Sequence, residues 1–232
     1  MRLRHGLRSL VQEVDEQTRA RYRRRLKLHG PSEHWRIVAS ESPTFQEDRF
    51  RVLVQMAQLS GKSIIDVGCG LGDLVKFLDS RGIRPRSYLG IDVVPELVAI
   101  AQEENPRYRF MVGNPLLQVF REKADVVSVI GVSNHRLKRI NNYEYSKLLI
   151  QVCFEMAKEL VMINMLSSYL TPKHRPDFQY FHYSPEQMFN ICHQITPYVS
   201  LHHDFEPLPH NELFITLRRV PVGLARVTSE VE

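Results

Sequence analysis

Two carboxylates and three glycines carry the clearest chemistry in this chain. In Ser63-Ile-Ile-Asp-Val-Gly-Cys-Gly-Leu-Gly-Asp-Leu74 an apolar run reaches Asp66 and then turns through Gly68, Gly70 and Gly72. Glycines at these places permit positive φ and let the backbone approach a nucleotide-like ligand closely. A carboxylate two residues before the first glycine would repel a pyrophosphate, so Asp66 suits a ligand with a cationic or hydroxyl-rich end. Asp92 closes a second apolar run, Ser87-Tyr-Leu-Gly-Ile-Asp-Val-Val94, where an acid can accept both hydroxyls of a ribose. The glycine spacing overlaps the beginning of G-x-G-x-x-G, but position 73 is Asp rather than Gly or Ala, which disfavours a dinucleotide oxidoreductase.

Strands and helices that alternate along the chain must position these residues, so the chain reads as α/β. Ser63 to Val67 is β-branched and apolar, suiting a strand buried on both faces. Helical spacing follows over Asp73 to Ser80, and a further helix begins at Pro95 and runs to Glu104. Arg107 to Gly113 reads as a third strand ending at Asn114-Pro115, and Ala124 to Val132 as a fourth, apolar enough to be central. Helix Tyr143 to Lys158, strand Leu160 to Leu166 and helix Pro185 to Ile195 come next. Tyr198 to Phe205 and Asn211 to Arg218 close the chain as a strand pair across the proline-broken turn 206–210, and the tail after Pro221 reads as frayed. Ahead of the first strand, residues 10–28 form a helix with acids first and bases last, stopped by His29-Gly30-Pro31; residues 32–42 are irregular and 43–59 helical.

The 232 residues, 43% hydrophobic, suit one domain with an extension: 1–59 a helical N-terminal cap, 60–220 the α/β domain, 221–232 a tail. The net charge of +5 is uneven, since residues 1–30 hold nine Arg and Lys against three acids. The charge therefore belongs to the leader, read here as a solvated helix packing Leu10, Val14, Tyr22 and Leu26 on the body, with attraction of nucleic acid or an acidic substrate as the alternative. Cys69, Cys153 and Cys192 stand in no metal-site spacing and are expected as free thiols; no metal is expected. No run is long and apolar enough to span a membrane, and the Arg-rich start lacks a signal-peptide centre, so the expectation is a cytoplasmic monomer or homodimer away from membranes.

Asp66-Val-Gly-Cys-Gly-Leu-Gly72 resembles the first motif of the class I S-adenosylmethionine (SAM)-dependent methyltransferases, and the element order over roughly residues 60 to 220 is similar to theirs. The resemblance implies a Rossmann-like, seven-stranded, mostly parallel sheet with an antiparallel closing strand, helices on both faces, and SAM as cofactor. Arg21-Tyr22 with His29-Gly30, Leu166-Ser-Ser-Tyr169, Tyr183-Ser-Pro-Glu186 and His203-Asp204-Phe205 are similar to a small bacterial branch of that family. Carried onto this sequence, the cofactor would meet Asp66, Gly68, Cys69, Gly70, Asp92, Val93, Asn114, Pro115 and Gly131. Asn114 departs from the acid common at its place, although its side-chain carbonyl could accept from the adenine amino group.

Methyl transfer from a sulfonium is an in-line displacement that requires no metal, and most of its catalysis comes from holding the nucleophile in a dry site. Tyr183 and His182, beside the aromatic loop 171–183, are the first candidates for a base, followed by His135, with His202 and Asp204 further back. The acceptor is expected between Trp35, Phe45 and Gln46, the exit of the fourth strand at Asn134-His135, and Tyr169 to Tyr183. For each of these the alternative is ordinary packing. Walls of Trp, Tyr, Phe and His rather than Lys and Arg would favour a small planar or heteroaromatic acceptor, methylated on N or O. The fourth strand lacks the Asn/Asp-Pro-Pro-aromatic motif that binds a flipped adenine, and no Pro-Cys supplies a cytosine nucleophile, so DNA is disfavoured. RNA stays open through the basic leader, as does a SAM-binding protein without turnover.

Overall fold

The computed structural model describes residues 3–38, 40, 42–170, 177–205 and 211–223. Seven strands form one sheet: β1 (Ser63–Val67), β2 (Ser87–Asp92), β3 (Arg109–Val112), β4 (Ala124–Ile130), β5 (Ala157–Leu166), β6 (Val199–His202) and β7 (Glu212–Arg218). Their order is β3-β2-β1-β4-β5-β7-β6. The first five pair in parallel, while β7 runs antiparallel to both β5 and β6. Every residue of the central β1 is buried, as its unbroken apolar run requires. The order turns back between β1 and β4, the place where an α/β sheet opens a cleft at the carboxyl ends of its strands.

Alternation along the strands sorts side chains into two cores. Leu160 and Met162 of β5 pack with Phe50, Leu53, Leu74 and Phe77 on the face covered by α3 (Pro43–Met56), α4 (Asp73–Ser80) and α5 (Pro95–Glu104). Val161, Ile163 and Met165 pack with Tyr145, Leu149 and Met188 on the face of α6 (Asn142–Met156) and α7 (Pro185–His193). Helix α1 (His5–His29) joins two regions: Leu7, Val11 and Val14 enter the α6 side, while Tyr22 and Leu26 pack with Ile37, Leu71, Val94 and Leu97 above the glycine turn. The leader thus lies across the carboxyl end of the sheet.

Several boundaries differ from the sequence reading: the helix read over 43–59 ends at Met56, the one read to Ile195 ends at His193, and the strand read over 198–205 is Val199–His202. Helix α1 starts at His5, and its buried anchor is Val11 rather than Leu10, because residues 7, 11 and 14 share one face. The stretch read as irregular contains a single turn, α2 (His34–Ile37), that buries Ile37. The helix expected to reach Lys158 ends at Met156, because Ala157 pairs with Ala124 and opens β5. The first part of the aromatic loop, 171–176, the turn 206–210 and the tail from 224 onward lie outside the described residues.

Candidate active site

The floor of the cleft is the turn after β1. Its backbone is fastened to β2, since the amides of Gly68 and Cys69 both donate to the Ile91 carbonyl, at 2.7 and 3.2 Å. Gly68 and Gly72 have φ of 79° and 77°, where a side chain is strained. A Cβ on Gly68 would lie 2.3 Å from Val132 Cγ2, and one on Gly72 would lie 3.0 Å from the Phe110 ring. At these two positions the missing Cβ makes room for protein, a different reason from the ligand approach read off the sequence.

Asp92 is held by backbone: its two oxygens accept from the amides of Gly70 and Val94, at 3.0 and 2.9 Å. A carboxylate has about four acceptor sites, so room is left for further donors. Burial raises the Asp92 pKa, and these amides pull it back. Asp66 is deeper, accepting from Ser128 Oγ and the Tyr88 hydroxyl at 2.6 Å each, and burial pushes its pKa up to about 6 against the pull of those two donors.

The roof comes from the N-terminal segment. Asp15 of α1, 4% exposed, accepts from Asn114 Nδ2 at 2.7 Å, while Asn114 Oδ1 accepts from the Leu116 amide at 2.8 Å. The carbonyl expected to meet a ligand is therefore already engaged, and a carboxylate reaches this corner from a residue 99 positions away. Burial lifts Asp15 to about 6, with the Asn114 bond opposing it. Sequence reasoning missed this residue, although Val11, Asp15, Thr18, Tyr22 and Leu26 share one helical face and an acid on that face was a usable signal. Polar clasps hold the rest of the roof. Arg19 donates to the Val93 carbonyl at 2.8 Å, and His34 Nδ1 and Gln46 Nε2 bind the two oxygens of Asp73 at 2.5 and 2.8 Å. Arg49 forms a fork on the fully buried carboxylate of Glu212, which also accepts from Asn164.

Beyond β4 the chain turns through Ser133, Asn134 and His135. His135 stacks on Tyr180, ring centroids 5.2 Å apart, with Tyr22 edge-on at 6.3 Å. Burial, then the nearby Arg21 and Arg25, lowers its pKa to about 4, so the imidazole is neutral at pH 7. Both Ser133 Oγ and His135 Nδ1 are buried and without a hydrogen-bond partner among the described residues.

A cavity of about 170 Å³ lies between floor and roof. Asp66, Gly68, Cys69, Gly70, Asp92, Val93, Asn114, Pro115 and Gly131 all line it, together with Gln46 and His135. Trp35, Phe45, Asn134, Tyr169, His182 and Tyr183 do not. Tyr183 is fully buried: its hydroxyl donates to the Ser133 carbonyl at 2.8 Å and lies 2.9 Å from Ser146 Oγ, and burial raises its pKa to about 12, so it is a strut of the core rather than a base. His182 lies beside it, half-buried. Asn134 is a latch whose Oδ1 accepts from the Leu166 amide at 3.2 Å. Tyr169 is 54% exposed and bonds Glu186. Phe45 sits in the first turn of α3, its amide capped by Ser42, and Trp35 lies under the Arg36 guanidinium. The walls expected to be aromatic also carry Arg21, Arg49 and Arg136, and Tyr22 and Tyr145 supply aromatic surface that the sequence did not single out for this site.

A parallel sheet reversing at β1 and β4, with acids ending β1's motif and β2, defines a nucleoside-binding α/β fold of the methyltransferase type. Residues 64–152 match the family described as a methyltransferase domain. Rv1506c of Mycobacterium tuberculosis (strain ATCC 25618 / H37Rv), which carries the name of a methyltransferase, is 31% identical over 150 residues, 62% of this chain and 86% of that protein. Magnesium protoporphyrin IX methyltransferase (ChlM) from Synechocystis PCC 6803, solved with SAM, shares the fold with a TM-score of 0.61 at 14% identity, over 89% of this chain and 97% of that one. The N-methyltransferase NodS from Bradyrhizobium japonicum WM9, solved with S-adenosyl-L-homocysteine, gives 0.61 at 15% identity, over 87% and 97%. The chain belongs to the class I S-adenosylmethionine-dependent methyltransferases.

The cavity fits that cofactor on its own terms. It is bordered by the buried carboxylate of Asp66 and the half-buried one of Asp92 for a cationic and a diol-bearing ligand, by the apolar side chains of Leu97 and Leu149, and by an orphaned hydroxyl at Ser133.

Proposed function

We propose that this protein transfers the methyl group of SAM to a nitrogen or oxygen atom of a small acceptor with a planar part, which enters beside Ser133 and His135. One observation carries the reading: two buried polar atoms on the cavity wall, Ser133 Oγ and His135 Nδ1, have no partner among the described residues. Buried polar groups are paired in the great majority of cases, so an unpaired couple facing a cavity awaits a ligand.

SAM supplies an electrophilic methyl carbon on a sulfonium. In this reading Asp92 holds the ribose diol, Asp66 the ammonium end, and the Asp15–Asn114 pair the polar edge of the adenine. His135, neutral at pH 7, accepts a hydrogen bond from the acceptor's N–H or O–H and takes up its proton as the new bond forms. The stacked Tyr180 ring fixes the plane of that imidazole and favours an acceptor that is itself flat. Leu149, Tyr145 and Tyr22 keep the site dry, which strengthens each of these contacts.

A cytoplasmic setting belongs to the same proposal, supported by three buried free cysteines, Cys69, Cys153 and Cys192. Among the described residues no helix is long and apolar enough to cross a membrane. The test is methyl transfer from labelled SAM to small-molecule pools and, separately, to bulk RNA. Label is expected in the small-molecule fraction; label in RNA alone, or SAM binding without transfer to either, overturns the reading.

A further inference from the structure

The arginines of α1 fall into two sets. Arg8, Arg19 and Arg25 donate to backbone carbonyls, at Leu117, Val93 and the Arg36–Ile37 pair, and Arg23 binds Glu96 at 2.6 Å. These charges fasten the helix to the body. Arg21 and Arg24 have no carboxylate or carbonyl partner among the described residues, and neither has Lys138 on the turn after β4. These three cations, with Arg25 and His135, line an open recess of about 700 Å³ walled by Tyr180, in which Arg24 and Lys138 are exposed. Among the described residues no acidic side chain lines it; Asp177 lies near His135 and Tyr180, with its Oδ1 accepting from the Gln179 amide. Arg21 and His135 border both this chamber and the cofactor cavity.

Cations converging without a counter-charge repel one another, and the field of such a recess is focused on its interior. Guanidinium groups match the paired oxygens of phosphate and carboxylate, and charge-assisted bonds of this kind are about twice as strong as neutral ones. The chamber draws its charge from two elements far apart in sequence, so helical spacing alone does not produce it.

We propose that this chamber binds an oxyanion, phosphate or carboxylate, borne by the far end of the methyl acceptor, so that the substrate is an acidic small molecule whose methylated atom lies at Ser133 and His135. The proposal rests on the reading of that turn as the acceptor side, but anion binding is measured without turnover. It also gives His135 a switch. Arg21 and Arg25 help hold the imidazole unprotonated, and an anion that neutralises them raises its basicity only when the acceptor is in place.

The experiment is calorimetric titration of the full chain with inorganic pyrophosphate and with citrate at constant ionic strength, alongside SAM. Saturable binding of one or the other is expected, and the preferred probe tells phosphate from carboxylate. Arg24→Gln and Lys138→Gln should each weaken it about fivefold and together more than tenfold, since an ion pair made by an exposed side chain is worth up to about a factor of five. Lys27→Gln, which removes the same charge from the same helix outside both cavities, should stay within twofold. SAM affinity should stay within twofold in all three, because none of these residues lines the cofactor cavity. The absence of saturable binding by both probes, or equal weakening by Lys27→Gln, overturns the proposal. A short RNA that binds tighter than either probe and loses affinity with Lys27→Gln assigns the helix to nucleic acid and overturns it too. Failure of the wild type to bind SAM breaks the methyl-transfer reading instead.

Discussion

Asp66 and Asp92 on the floor are positioned by their immediate surroundings: neighbouring strands, two amides and two hydroxyls, and a core that buries every residue of β1. Asp15 on the roof is positioned by a helix that packs Leu7, Val11, Val14, Tyr22 and Leu26 on the body, with only Val11 of these fully buried, and that adds polar clasps through Arg19, Arg23 and Asn114. The two regions face the same cavity with different physics. The floor lies within the apolar core of the sheet, whereas the roof adds to its apolar packing a set of charged and hydrogen-bonded clasps that loosen when their protonation or screening changes.

The strongest test of that contrast cuts the roof at its buried tie. Glu212→Ala should destabilise by about 3–5 kcal/mol, the range for breaking a buried ion pair by removing one member, here the carboxylate that Arg49 and Asn164 share. Thermal unfolding should show it, with protease cleavage appearing first around α3; an unchanged midpoint would mean that α3 is held by its apolar face alone. On the floor, Asp92→Ala should weaken SAM binding by about 1.5–3 kcal/mol in calorimetry, the range for truncating a hydrogen bond to a charged group, and leave the midpoint nearly in place.

Asp15→Asn sharpens the comparison through pH. Folding raises this acid from 3.8 to about 6, so ionisation opposes the fold: the penalty is absent below the lower value and complete above the higher. The variant keeps the bond to Asn114 and should be more stable than wild type by about 2 kcal/mol at pH 7, reduced from the full shift because the carboxylate borders an open cavity. That advantage should vanish near pH 4, and a pH-independent difference would contradict the assignment. SAM affinity measured on the same variant should drop severalfold if the roof carboxylate holds the adenine edge.

Tyr183→Phe belongs to neither region and serves as the internal control. Losing its bond to the Ser133 carbonyl should destabilise by about 1 kcal/mol while turnover stays within twofold. A tenfold loss of turnover at unchanged SAM affinity would return this residue to the chemistry. The smallest effect is expected at His34, whose bond to Asp73 raises its pKa. A histidine raised by folding stabilises below its unfolded pKa and loses that contribution as pH rises through the folded value. His34→Gln should therefore be less stable than wild type by under about 1 kcal/mol at pH 6, and the difference should shrink toward pH 8.

The sequence alone determined the sheet, the reversal point and the floor. Period-two apolar runs, glycines at a turn and acids at strand ends are local signals, read within a dozen residues of one another. Glycine's role needed coordinates even there, since Val132 on the turn after β4 and Phe110 on β3 reach Gly68 and Gly72 and decide why no side chain is tolerated. The roof was decided by tertiary structure. Asp15 meets Asn114 across 99 residues, and an acid in a basic leader reads as a solvated charge until the helix is laid over the cleft. Tyr183 and His182 looked catalytic because an aromatic loop precedes a helix start. Whether a phenol faces a cavity or the core depends on which way its strand bridge turns it, and the bridge from Ser167 to Tyr183 turns it inward. The cationic chamber is of the same kind, because the leader's surplus charge was visible in composition. Which arginines are spent on carbonyls and which are left to face Lys138 depends on packing that no local pattern encodes.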